Sequence, residues 1–254
     1  MGGQANTNST HGSSNFGGNI QSNVSSNTTA GISIGTYSSV ESNTGKTVGH
    51  GLSSKPDMVM VKKRTGSAGW VGWHQGLTGG NEEDRLIALN NTNASNAITD
   101  YWGSGFNSTT FGLWDSAGDN SGTGDYWFFA FKSVKGYSKF GSYTGNGNSN
   151  GAFIYTGFKP AWVMIKQSSG SGTSWNIWDN KRLGFNIKNY QLEANTTVVE
   201  NTSLERLSIT SNGFKCLTDN AQINGSGNTY IYMAFAENPF VANDSGTAVP
   251  VTAR

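Results

Sequence analysis

Lys55-Pro56-Asp57-Met58-Val59-Met60-Val61-Lys62 has a counterpart, Lys159-Pro160-Ala161-Trp162-Val163-Met164-Ile165-Lys166, 104 positions along the chain (159 minus 55). Each copy is a proline, a short apolar run and a lysine. Each leads to a tryptophan pair, Trp70-Val71-Gly72-Trp73 or Trp175-Asn176-Ile177-Trp178. A proline is tolerated at the first residue of a strand, where its missing N–H costs no ladder bond. An unbroken apolar run with β-branched residues predicts a strand buried on both faces, the central strand of a domain. Lys62 and Lys166, at the matched strand ends, are expected to be solvent-facing terminators.

The flanking segments repeat in the same order. Ile34-Gly35-Thr36-Tyr37 matches Phe140-Gly141-Ser142-Tyr143, and Thr47 through Leu52 matches Phe153 through Phe158. Asn91-Thr92 matches Asn195-Thr196. Phe111-Gly112-Leu113-Trp114 matches Phe214-Lys215-Cys216-Leu217, and Tyr126 through Phe131 matches Tyr230 through Phe235. A period this long is a tandem duplication, not a solenoid. Each copy carries short strands with turn signals every ~8–12 residues, which predicts a β-sandwich with jelly-roll-like winding. The expected fold is all-β. An N-terminal extended arm (1–30) precedes a first sandwich (31–134), and a second sandwich with a polar tail (135–254) follows. The arm has only Phe16, Ile20 and Val24 as large apolar residues, too few for a core, so it either packs on a neighbour or stays mobile.

Composition narrows the function. Charged residues are 13% of the 254, aromatics 12%, and Gly numbers 35. This suits an all-β protein with polar loops, not a disordered chain. A net charge of +1 supplies no field toward nucleic acid, and Lys62-Lys63-Arg64 is the only basic cluster. No apolar run approaches the ~18–20 residues of a membrane span and no signal peptide follows Met1, so a soluble protein without membrane insertion is expected. The single Cys216 excludes an intrachain disulfide and reads as a buried filler.

Catalytic patterns are weak. Thr44-Gly45-Lys46-Thr47 lacks the first glycine of a phosphate loop, since position 40 is Val40. His11, His50 and His74 share no metal-ligand spacing. Asp115, Asp119, Asn120 and Asp125 offer oxygen ligands without an EF-hand order, and capping of turns is their expected role. Glu82-Glu83-Asp84, close in sequence to Trp70 and Trp73, could supply a general acid beside a sugar. The second copy has Asn180-Lys181-Arg182-Leu183 there, which argues against catalysis. No cofactor, metal or catalytic residue is expected. Most tryptophans belong in cores. Trp102, in Asp100-Tyr101-Trp102-Gly103-Ser104-Gly105, and Trp73 are the candidate exposed aromatics. With Glu83 and Asp84 they form the candidate contact set for a glycan or partner.

Several stretches resemble a family of uncharacterised β-rich domains in virion proteins of tailed bacteriophages, many from marine hosts. They are Ser22 through Gly31 leading into Gly35-Thr36-Tyr37, then Val48 through Leu52, Gly136 through Gly147, Tyr155 through Lys166 and Tyr230 through Phe240. The resemblance spans residues 22–254 and brings no site residues with it. It implies a structural protein on the virion surface, in a tail fibre, other appendage or capsid decoration. Its expected partners are other virion proteins, further copies in a homo-oligomer, and a host surface glycan. A glycan-binding adhesin is the alternative, and a polysaccharide depolymerase using Glu83 or Asp84 a more distant one.

Overall fold

A computed structural model describes residues 13–39, 45–114, 118–182 and 190–238. His11, Val40, Thr44, Asp115, Leu183 and the tail from Val241 lie outside these residues. The chain is all-β, and its described helical content is one 3-10 turn, Glu82–Asp84. It divides into two compact units. The first comprises Met1–Asn90 with Ser95–Ser133, and the second Asn91–Ala94 with Val134–Arg254.

The first unit contains β1 (Ser13–Asn15), β2 (Ser22–Asn27), β3 (Ile32–Ser39), β4 (Thr47–Gly49), β5 (Met58–Lys63), β6 (Trp70–His74), β7 (Arg85–Ala88), β8 (Asn96–Ala97), β9 (Thr110–Gly112) and β10 (Gly124–Phe131). Eight strands form one sheet in the order β1-β2-β3-β10-β5-β6-β7-β8, and β4 and β9 form a second. The inward residues of both meet in one core, which includes Tyr37, Val59, Val61, Trp73, Tyr126 and Phe128 together with Val48 and Phe111.

The second unit contains β11 (Ser138–Thr144), β12 (Phe153–Tyr155), β13 (Pro160–Gln167), β14 (Asn176–Asp179), β15 (Leu192–Glu193), β16 (Leu207–Thr210), β17 (Gly213–Cys216) and β18 (Thr229–Ala236). The sheet β11-β18-β13-β14-β15 and the sheet β12-β17-β16 share a second core, built on Val163, Ile165, Trp178, Phe214, Tyr230 and Tyr232. Both units are therefore sandwich-like, and neither closes into a barrel.

The winding is the same in both. The pairs β3·β10 and β4·β9 correspond to β11·β18 and β12·β17, a nested pairing of outer with outer strands. The nesting stops there, because β5-β6-β7 and β13-β14-β15 run on as meanders. The cores match at the strand positions, although among the described residues Tyr101, Trp102 and Phe106 of the first have no aromatic counterpart in the second. Tyr37 stacks on Tyr126 at 4.9 Å, and Tyr143 on Tyr230 at 5.0 Å. Phe111 meets Phe128 edge-on at 5.2 Å, as Phe214 meets Tyr232 at 5.3 Å. Such pairs add ~0.5–1.5 kcal/mol beyond their buried area. Gly35 and Gly141 hold one position for one reason. A Cβ there would stand 2.4 Å from the Phe128 ring or 2.7 Å from the Tyr232 hydroxyl.

The Lys-Pro strands are interior, β5 between β10 and β6 and β13 between β18 and β14. Their burial is one-sided in part. Val59 and Val61 are fully buried, whereas Met60 and Lys62 on the other face are half-buried. Lys62 donates to the carbonyl of Ala68. Lys166 corrects the expectation of a solvent-facing terminator. It is fully buried, and its Nζ donates to the carbonyls of Thr92 (3.0 Å), Asn93 (2.7 Å) and Gln167 (3.1 Å). Burial lowers its pKa to about 8. The three carbonyls replace the water that an ammonium group loses on burial.

Residues 13–30 are not a detached arm. β2 pairs with β3 and β1 with β2, and Val24 enters the core. The sheet supplies the hydrogen-bond partners that a short apolar-poor segment cannot supply for itself. Cys216 is buried as read, with its Sγ 3.8 Å from the Tyr143 hydroxyl, and burial pushes its thiol up to about 12. A disulfide reagent added to the native protein is expected to release less than a tenth of an equivalent of thiolate, and one full equivalent in guanidinium. Rapid native labelling would contradict this packing.

Candidate functional site

The first unit carries two surface features with polar side chains grouped together. One is the acidic segment after β6. The 3-10 turn Glu82–Asp84 is closed by a reciprocal cap between Asn81 and Asp84. Asp84 accepts from the Asn81 N–H (3.2 Å) on one carboxylate oxygen and from the Asp100 N–H (2.8 Å) on the other. Glu82 is paired with Lys55 at 2.6 Å. Carboxylate oxygens of Glu83, Asp84 and Asp100 lie within 4.8 Å of one another, the only such His/Cys/Asp/Glu group among the described residues. With both Asp84 oxygens on backbone N–H groups, the cluster reads as loop closure.

The two tryptophans assigned to this contact set are not at its surface, which corrects the sequence expectation. Trp102 is fully buried; its backbone N–H donates to the Glu83 carbonyl (2.8 Å) and its indole N–H to the Arg85 carbonyl (2.9 Å). Trp73 is fully buried and stacks on Phe106 at 4.0 Å. Local sequence around Trp102 is rich in glycine and aspartate and looks like an open loop. The indole instead docks into the core with Phe106 and Phe111, because apolar area that large is favoured out of water. So Trp102 is the buried anchor of a half-buried acidic turn, while Trp73 is joined to Trp102 through Phe106, which both rings meet.

The oxygen ligands of the Asp115-to-Asp125 loop take different partners. Asp119 accepts from the Gly69 N–H (3.0 Å), Asn120 is buried and donates to the Tyr101 carbonyl (2.9 Å), and Asp125 accepts from the Ser38 hydroxyl (2.6 Å). They act as turn and loop fasteners. His50 is buried between two strand ends, with Nε2 3.2 Å from the Asn107 carbonyl and Nδ1 accepting from the Leu52 N–H at 3.1 Å. That fixes the neutral tautomer with the proton on Nε2, and burial lowers its pKa to about 4 against the raising effect of the Asn107 carbonyl.

The second feature lies on the outer face of the large sheet. A groove of about 500 Å³ is lined by Ile20, Gln21, Asn23, Thr36, Tyr37, Ser38, Arg64 and Asp125. Beside it stands Trp127, 43% exposed, directly across from Thr36 in the ladder. The Arg64 guanidinium sits 5.1 Å over the Trp127 ring, a cation–π contact. Sequence reading passed over this group. A signal was present in Tyr126-Trp127-Phe128-Phe129, where strand alternation turns Trp127 away from Tyr126 and Phe128.

A model of a domain of unknown function, DUF7483, matches residues 5–239. The chain belongs to the DUF7483 family. No curated protein and no solved structure matches it. The family match takes in both units, so one DUF7483 domain contains the duplication. Among the described residues no helix is long and apolar enough to cross a membrane.

Proposed function

We propose that this chain is a non-enzymatic structural protein of the tailed-bacteriophage virion surface, part of a tail fibre, other appendage or capsid decoration. In this reading it assembles as a homo-oligomer, contacts other virion proteins and reaches the host surface. The observation that carries it is the run of motifs from Gly136 through Gly147 and Tyr230 through Phe240, which resembles domains of phage virion proteins. The duplicated sandwich is in keeping with such a role. The two cores repeat the same stacked tyrosine pair while the surface loops differ, as suits a rigid scaffold for contacts. Symmetric assembly would follow the usual habit of such parts.

A glycan-binding adhesin is the second reading, favoured by the exposed Trp127 beside a polar groove. A depolymerase has less in its favour. Of its two candidate acids, Asp84 is held by two backbone N–H groups, and against Glu83 stands the second copy, which carries Asn180-Lys181-Arg182-Leu183 at the matching place.

Purified particles carrying the gene for this chain provide the test. Antibody labelling is expected to decorate the particle surface, with the chain present in stoichiometric amount by mass spectrometry. Absence of the chain from particles purified to constant composition would overturn the virion reading.

A further inference from the structure

We propose that the groove between β2, β3, β10 and Arg64 is a saccharide-binding site, with Trp127 as its stacking platform. The inference extends the host-contact part of the reading above, and it can be tested on the isolated chain whatever becomes of the virion location.

A saccharide needs an apolar plate for the C–H face of a ring and planar or hydroxylic groups for its hydroxyls. The exposed Trp127 offers the plate, and a Trp side chain combines large contact area with few rotors. Arg64, Asp125, Asn23, Gln21, Ser38 and Thr36 offer donors and acceptors along the groove. The carboxylate of Asp125, one oxygen of which already accepts from the Ser38 hydroxyl, can accept from a sugar hydroxyl, and the fork of Arg64 can donate to two neighbouring ones. The volume falls in the ~300–1,000 Å³ range of small-molecule sites. Other ligand classes fit less well. Asp125 opposes a phosphate backbone and the chain's net charge is only +1, so nucleic acid lacks its main attraction. The lining is too polar for an acyl chain.

The duplication supplies an internal control. Backbone pairing places Trp127 on Ile231, each opposite the strand lysine, Lys62 or Lys166. It places Asp125 on Thr229, and Arg64 on Ser168, since the Arg64 N–H donates to the Asp125 carbonyl (2.7 Å) as the Ser168 N–H does to that of Thr229 (2.9 Å). Even the neighbouring hydroxyl is kept, with Thr65 and Ser169 each accepting from an N–H of the paired strand, of Asp125 and Thr229. The same scaffold thus forms with Ile, Thr and Ser at these three places, and Ile231 is only 1% exposed. The fold does not require Trp127, Arg64 and Asp125, and the first unit presents them together at the surface.

The test uses the full chain on a printed array of bacterial surface polysaccharides and their oligosaccharide fragments, with the strongest hit titrated by calorimetry. Binding to at least one saccharide is expected. Trp127→Ala and Arg64→Ala should each weaken it at least tenfold, and Trp127→Ile, which installs the residue of the second unit, should do the same with an unchanged amide-exchange pattern in β3 and β5. Absence of binding above background on the array, or binding that survives all three substitutions, overturns the proposal. A variant that fails to fold is replaced by Trp127→Ile, whose side chain the homologous position already accommodates.

Discussion

Trp102→Ala is expected to destabilise the first unit by about 3–5 kcal/mol, the range for emptying a buried tryptophan site. Three losses combine. The indole is fully buried and its ring packs against Phe106 at 5.3 Å and Tyr101 at 5.6 Å, so a large cavity remains. The Arg85 carbonyl loses the indole N–H donor at 2.9 Å. The acidic turn above also loses its anchor, although the backbone bond from residue 102 to the Glu83 carbonyl persists. Trp102→Phe separates the terms. It keeps most of the ring volume but leaves the carbonyl unpaired, for a cost of about 1–2 kcal/mol. Amide exchange in β9 and β10 reports on the first unit alone and is the measurement of choice. A change below about 1 kcal/mol for Trp102→Ala would mean that the indole is at the surface after all. Saccharide binding by the folded fraction should be unaffected, since Trp102 is absent from the groove lining.

Acidification is expected to weaken the first unit by about 3 kcal/mol between pH 7 and pH 4 through His50 alone. Its pKa falls from 6.5 to about 4 in the folded protein. The unfolded chain therefore binds a proton near pH 6.5 that the folded chain refuses until about pH 4. Stability is fully present above the unfolded value and is lost as pH falls toward the folded one, at ~1.4 kcal/mol per pH unit. Geometry gives the same direction. A second proton would go on Nδ1, which already accepts the Leu52 N–H at 3.1 Å, and two N–H groups would face each other. The second unit supplies the control substitution. Thr156 fills the equivalent place, its hydroxyl donating to Phe158 (2.6 Å) and lying 3.3 Å from the Asn212 carbonyl. His50→Thr should flatten the pH dependence of amide exchange in β4 and β9, whatever it does to stability at pH 7. Equal slopes in the two proteins would sink the assignment. Carboxylates titrate in the same window, which is why the difference between proteins is the reading that counts.

Much of the architecture was legible in the chain. Strand alternation and turn chemistry are local, and a duplicated order of motifs is visible without any contact being known. The matches Gly35 with Gly141, Tyr37 with Tyr143 and Tyr126 with Tyr230 all correspond in the cores. Asn90, not Asn91, corresponds to Asn195, since each accepts from the N–H of the first tryptophan of its pair, Trp70 at 2.9 Å and Trp175 at 2.7 Å. The candidate site was much less legible. Glycine-rich surroundings said loop for Trp102, and only its placement against Phe106 and Phe111 showed that the loop turns inward.

By itself, then, the amino-acid order determined the all-β class, the two matched cores and the strand that frames each, because those depend on periodicity and on pairs of residues close in sequence. Tertiary structure alone decided which faces meet water. Lys166 is buried because three carbonyls, two of them more than seventy residues away, replace its water. Ser22–Asn27 is a strand because β3 offers an edge, and Ser13–Asn15 pairs in turn on Ser22–Asn27. Trp127 is exposed where its counterpart Ile231 is covered, although their strands pair in the same register. Burial is a property of everything packed around a side chain, and a duplicated strand with matching pairing can therefore carry a core residue in one unit and a surface residue in the other.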